Sequence, residues 1–159
     1  MQIQIIAVGK LKEKYLKDAV LEYTKRLSRF CRIEIVEIAE EKAPETLSPS
    51  EEDLVREKEA QRIRKAIAKN AFVIALDLKG DQPDSIQFTK KLSDLMLKGA
   101  SQLTFIIGGS IGIDEKLLKE ADYNLCISNM TFTHQLARII LLEQIYRGFK
   151  IMNNETYHK

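Results

Sequence analysis

Residues 103–112 read Leu-Thr-Phe-Ile-Ile-Gly-Gly-Ser-Ile-Gly. The first five are almost wholly apolar, as expected of a strand covered on both faces of a parallel sheet. The run stops at paired glycines, which let a chain turn sharply or approach a ligand closely. A buried strand running into a glycine loop points to an α/β sheet with its ligand at the carboxyl ends of the strands.

The rest of the chain supports that architecture. Short apolar runs at 3–9, 32–38, 72–78 and 124–127 resemble the run at 103–107. Between them lie segments with helical spacing at 13–30, 50–69, 85–97, 114–121 and 134–149. In 32–38, Ile33 and Ile35 alternate with Glu34 and Glu37, which predicts a strand with one wetter face. Residues 41–50 form a polar connector containing Pro44 and Pro49; Ser50 is expected to cap the next helix, with Asp53 completing a capping box. Gly80-Asp81-Gln82-Pro83 reads as a turn. Strand followed by helix throughout predicts a mostly parallel sheet with helices on both faces, in one domain spanning 1–159. The loops after Leu76, Ile107 and Ile127 then sit at the ligand-binding edge. The last helix is apolar almost all round at 136–142, which suggests a subunit interface.

Composition narrows the classes. The 159 residues are 45% hydrophobic and 30% charged, ordinary for a globular protein. No apolar run approaches the roughly 20 residues of a membrane helix, and the first residues lack the basic lead of a secretory signal. Cys31 and Cys126 are far apart and form no C-x-x-C, so they read as reduced thiols of a cytoplasmic protein. Two cysteines and two scattered histidines argue against a metal site. A net charge of +2 permits an RNA partner without demanding one. The basic groups Lys10, Lys12 and Lys14, then Arg26, Arg29 and Arg32, then Arg62, Arg64, Lys65 and Lys69 read equally well as solvated helix faces.

Gly108, Ser110 and Gly112 also fit G-x-S-x-G, the nucleophile pattern of many hydrolases. Here Ile111-Gly112-Ile113 separates Ser110 from the helix expected near residue 114, so the elbow is too loose. The remaining triad members would be arbitrary choices among Asp122, Glu143, His134 and His158. The dinucleotide pattern G-x-G-x-x-G is not matched, and there is no P-loop. On its residues alone the loop is either a tight turn or a cradle for a nucleoside without phosphates. The stretch Ile127-Ser128-Asn129-Met130-Thr131-Phe132 has the composition to line a pocket for an adenine and a thioether. It also suits a capping turn into the last helix.

Longer stretches carry a resemblance. Residues 105–112, the segment Ser-Asn-Met-Thr-Phe-Thr-His-Gln-Leu-Ala-Arg at 128–138, the closing Tyr157-His158-Lys159 and the opening 3–10 together closely resemble the RlmH family of bacterial rRNA methyltransferases, of the SPOUT class. The resemblance covers the whole chain. It implies S-adenosylmethionine as cofactor and methylation of ring nitrogen 3 of a pseudouridine in large-subunit (23S) rRNA, on assembled ribosomes. It also implies a homodimer and a C-terminal trefoil knot. Carried onto matching positions, it assigns donor binding to Leu76, Gly108, Ile127, Ser128, Asn129, Met130, Thr131 and Phe132. It links Arg147, Tyr157 and His158 to RNA binding or catalysis. The tail departs from the family pattern at Thr156, where proline is common.

The chemistry constrains the roles. Methyl transfer from a sulfonium is an in-line displacement, so the protein mainly positions the reactants. The acceptor nitrogen must lose a proton, and a histidine base suits that task, which makes His158 the candidate. Tyr157 and Phe132 are the candidates for stacking on an exposed base. Arg147 follows Glu143 by four residues, a favourable helical pair. His134 is expected to serve structure through hydrogen bonds, and Gly108→Arg to fill the donor pocket with the fold intact. A weakly basic chain is expected to rely on a large shaped surface rather than on charge alone. The competing class is a ribosome- or RNA-binding protein that lacks the donor site.

Overall fold

The computed structural model describes every residue from Met1 to Lys159. Strands β1 (Gln2–Val8), β2 (Arg32–Ile38), β3 (Phe72–Asp81), β4 (Gln102–Ile107) and β5 (Tyr123–Leu125) alternate with helices α1 (Lys14–Leu27), α2 (Pro49–Ala66), α3 (Ser85–Leu97), α4 (Glu115–Glu120) and α5 (His134–Met152). The sheet order is β2-β1-β4-β3-β5, and every pairing is parallel.

Period-two alternation sorts each strand between two cores. Ile3, Ile5 and Ala7 of β1 join Leu103, Phe105 and Ile107 of β4 beneath α1, α3 and α5. Ile6, Val8 and Ile106 point the other way, against Ala60 and Ile63 of α2 and Leu117 of α4. Gln4 breaks the apolar pattern, and its burial is compensated. Its amide donates to Ala66 O at 3.0 Å and accepts from Ala68 N at 3.1 Å and Thr104 Oγ1 at 3.0 Å. These bonds hold the carboxyl end of α2, which stops at Ala66 rather than near residue 69.

The start of α2 corrects the sequence reading. Ser48, not Ser50, is the N-cap: its Oγ accepts from Glu51 N, while Glu51 accepts from Ser48 N at 2.7 Å. Pro49 occupies the first helical turn, where its fixed φ fits and its missing N–H costs nothing. Gly80 and Asp81 are likewise strand rather than turn. The register shifts between Leu76 and Asp81, both of which lie opposite Leu125. Gly80 is required there because a Cβ would sit 2.5 Å from Asn124 O on the neighbouring strand.

Helix α5 packs between α1 and α3, which accounts for most of its apolar circumference within one chain. Leu141, Leu142, Ile145 and Phe149 belong to the core, while Leu136 remains 41% exposed. Both cysteines are buried and free. Burial pushes the Cys31 thiol up to about 11, so it stays protonated.

Candidate functional site

The carboxyl ends of β3, β4 and β5 enclose a cleft of about 610 Å³. Leu76, Asp77 and Leu78 form one wall, and Ile107 to Ser110 another. The segment from Ile127 onward and the first turn of α5 complete it. Of the expected cofactor residues, Leu76, Gly108, Ile127, Ser128, Met130, Thr131 and Phe132 line this space. Asn129 does not; it is exposed in a turn that Ser128 Oγ closes by accepting from Met130 N at 3.0 Å. Asp77, Leu78, His134 and Gln135 line the cleft without having been singled out for it.

The glycine loop combines both sequence alternatives. It is a tight turn, with Gly112 N donating to Gly109 O at 3.1 Å, and it is also a cleft wall. Only Gly112, at φ +86°, needs a glycine's backbone freedom. Gly108 and Gly109 are glycine for want of room. A Cβ on Gly108 would meet Ile113 Cγ1 at 2.7 Å, and one on Gly109 would meet Val8 Cγ1 at 3.1 Å. A side chain at Gly108 therefore displaces the loop itself, so the expectation of Gly108→Arg merely filling a pocket is corrected. Arg56 of α2 braces the loop from behind through Ile111 O at 3.1 Å.

The 126–133 segment is braced along its length. The Cys126 thiol donates to Ser128 O at 3.3 Å, and Thr133 caps α5 by accepting from Leu136 N at 3.2 Å. The His134 ring packs against Gly9, with Nε2 3.2 Å from where a Cβ would lie. Its structural role is therefore packing rather than the expected hydrogen bonding.

Arg147, Tyr157 and His158 come together around Glu143. Glu143 Oε1 accepts from Arg147 Nη2 at 2.6 Å and from Tyr157 Oη at 3.2 Å. Glu143 Oε2 accepts from Gln144, which accepts from Ser85 of α3. Arg147 Nη1 lies 3.3 Å from His158 Nδ1, and its guanidinium sits 4.7 Å from the Tyr157 ring centre. Burial, with the adjoining Glu143 carboxylate, pushes the Tyr157 hydroxyl up to about 12. It is a hydrogen-bond donor at neutral pH.

The tail is folded back rather than frayed. Asn154 takes a left-handed turn at φ +55°, and Glu155 is clamped by Arg29 and Lys150. The Tyr157 ring meets Tyr146 edge-on at 5.0 Å. Arg26 lies over Tyr23 and Tyr146, so part of the second basic cluster adjoins the tail. Elsewhere Lys14, Arg62 and Arg64 are engaged by Asp18, Glu41 and Glu120, the solvated-face reading. Sequence spacing indicated the Glu143–Arg147 pair but not Glu143 as the shared acceptor for the tail.

A family model described as "Predicted SPOUT methyltransferase" matches residues 1–158. Proteins named "Ribosomal RNA large subunit methyltransferase H" align over all of both chains: 59% identical in Ruminiclostridium cellulolyticum and 60% in Clostridium kluyveri, across 159 residues. One from Acetivibrio thermocellus is 51% identical over the same span. The chain belongs to the RlmH family of SPOUT methyltransferases. SPOUT membership brings with it the C-terminal trefoil knot.

For an RlmH chain the two clusters are well separated. Gln135, on the cleft, and Arg147, in the tail cluster, stand roughly 18 Å apart along α5 at the helical rise per residue. Ser110 is exposed and makes no side-chain hydrogen bond, and α4 begins only at Glu115 behind its Asp114 cap. A nucleophile elbow is not formed.

Proposed function

We infer that this protein uses S-adenosylmethionine to methylate ring nitrogen 3 of a pseudouridine in 23S rRNA, on the assembled ribosome. The observation that carries this reading is a cleft bounded by the 108–112 and 127–132 loops in a full-length RlmH chain. A volume of about 610 Å³ lies within the range of small-molecule pockets. Leu76, Ile107 and Ile127 offer apolar surface for an adenine, and close-packed glycines bring the main chain to the cleft. When bound, the cofactor supplies a methyl group already activated on a sulfonium.

The protein's part is positioning and proton handling. Arg147 can only donate to His158, so Nδ1 accepts and the neutral ring carries its proton on Nε2. Nδ1 is then the basic nitrogen. It becomes available to take the proton of ring nitrogen 3 when Arg147 turns toward a phosphate. Tyr157, held protonated, offers a ring to stack on the base, as does Phe132 at the cleft.

The separation along α5 supports a homodimer. A base held by Arg147 would lie more than two helical turns from its own chain's cleft. A second copy, with its α5 running the opposite way, brings one tail to the other cleft. Leu78, Met130 and Leu136 are exposed apolar side chains around the cleft that such a partner would cover. The reading places a single domain, 1–159, in the cytoplasm with the ribosome; no helix is long and apolar enough to cross a membrane.

The test is transfer of labelled methyl from S-adenosylmethionine to assembled ribosomes and to separated large subunits lacking the modification, with the product mapped by mass spectrometry. One methyl on a 23S pseudouridine, favoured on whole ribosomes, is expected. Ribosome association without methyl incorporation would overturn this reading in favour of a binding protein.

A further inference from the structure

The glycine loop is a thin partition. Gly109 and Ser110 face the cleft, while behind them Ser110 and Ile111 border a second hollow of about 450 Å³ that contains Glu59 of α2. Glu59 is 4% exposed, and its Oε2 is buried without a hydrogen-bond partner. That oxygen would lie 3.3 Å from a Cβ on Gly109.

No cation pairs with it directly: Lys42 borders the same hollow without an ion pair, and Arg62 offsets its charge only in part. Arg62, one turn along α2, is engaged by Glu41 and Ala39 O, and Lys58 also pairs with Glu41. Arg56 is held by Asp53, Glu52 and the Ile111 carbonyl. From the connector after β2, Glu40 adds repulsion, while the Glu41 backbone N–H and the Arg62 charge oppose it without outweighing burial. Val8 of β1 and Gly109 of the loop bring no charge. A carboxyl with one oxygen left unpartnered is costly to bury. Across one layer of backbone from this one lies a cleft read as taking a cationic sulfonium.

We propose that Glu59 reads the charge of the bound cofactor through the glycine loop, favouring the sulfonium donor over its neutral thioether product. Methyl transfer breaks a sulfur–carbon bond, forms a nitrogen–carbon bond and leaves the electron pair on sulfur. The positive charge beside the loop is thereby lost. The proton of ring nitrogen 3 leaves to the base, and Glu59 takes a separate proton from solvent as its counter-charge disappears. Product release is then coupled to proton uptake. Burial, reinforced by Glu40, holds the Glu59 carboxyl at about 7, which poises it for this exchange near neutrality. The proposal rests on the cleft being the donor site.

Calorimetric titrations of the full-length protein with S-adenosylmethionine and with S-adenosylhomocysteine test it, using wild type, Glu59→Gln and Gly108→Arg. In wild type, the preference for the sulfonium should rise roughly fivefold more between about pH 6 and about pH 8 than in Glu59→Gln. Buffers of different ionisation heat should reveal proton release on binding of the sulfonium but not of the thioether, a readout that needs no variant. Equal pH dependence in wild type and Glu59→Gln, with equal proton counts for both ligands, would overturn the proposal while leaving the donor site standing. Absence of binding in wild type, or binding undiminished in Gly108→Arg, would overturn the donor-site reading and the proposal with it.

Discussion

Arg138 of α5, 1% exposed, donates to Glu37 of β2 across 2.9 Å and to Gly9 O at 3.2 Å. This contact joins the first turns of the last helix, at the cleft, to the far edge of the sheet. Burial alone would raise the Glu37 carboxyl. Hydrogen bonds from Arg138 and Leu11 N, with the charges of Arg138 and Lys10, outweigh burial and hold it below the usual carboxylate range. The pair therefore stabilises the fold above the ordinary carboxylate pKa, and that stabilisation is lost as pH falls through the lowered value.

Glu37→Ala leaves Arg138 buried without a carboxylate. We expect a loss of about 2 kcal/mol in urea unfolding at neutral pH, less than for a wholly buried pair because Glu37 is partly exposed. Adding Arg138→Met should recover part of it, since the second change removes the stranded charge.

Glu59 behaves in the opposite sense. Burial, reinforced by the Glu40 charge, raises its carboxyl from the ordinary carboxylate range to about 7, so the folded state binds a proton that the unfolded state releases. Stability is unaffected below the unfolded pKa, falls as pH rises through that interval, and stays lowered above it. Glu59→Gln should thus be more stable than wild type above neutrality by up to roughly 3 kcal/mol, with the difference shrinking toward acid. Thermal melts at a series of pH values check the sign.

Glu143 is the shared acceptor for Arg147 and Tyr157. Glu143→Ala should free both donors and loosen the tail. We expect methyl transfer to ribosomes to fall about a hundredfold, as misplacement of reacting groups by an ångström can do. Binding of S-adenosylmethionine should fall far less than transfer, because neither Glu143 nor the tail lines the cleft of its own chain. Parallel kinetics and calorimetry separate the two effects.

Gly80→Ala drives a Cβ against Asn124 O and C, at 2.5 and 2.6 Å, backbone atoms that cannot swing away. The expected cost is about 3 kcal/mol, with weakened cofactor binding because β3 and β5 carry two walls of the cleft. Gly99→Ala meets nothing within 4 Å and suffers only its φ of +87°, a cost of about 1 kcal/mol. Comparing the two melting curves isolates the close approach.

Much of this protein is determined by the sequence itself. Alternation in Ile3–Val8 and in Leu103–Ile107 sorts side chains between two cores without reference to any partner, because neighbouring side chains of a strand must point opposite ways. Strand–helix order then places the segments after Leu76, Ile107 and Ile127 at one edge, where the cleft forms, although β5 itself ends at Leu125 rather than Ile127. The motifs at 105–112, 128–138 and 157–159 were sufficient to indicate the family.

Only the tertiary structure decided the rest. Ser48 became the α2 cap rather than Ser50, because a local pattern offered two serines around one proline. Gly80 read as a turn because the strand it touches lies more than forty residues further on. The reach of Gln4 to Ala66 and Thr104, the seat of Glu59 behind Gly109, and the clamp of Arg29 on Glu155 all join residues remote in sequence. Periodicity records which way a side chain faces. It carries no information about which distant atom will stand opposite, and that is settled only when the sheet and its helices pack.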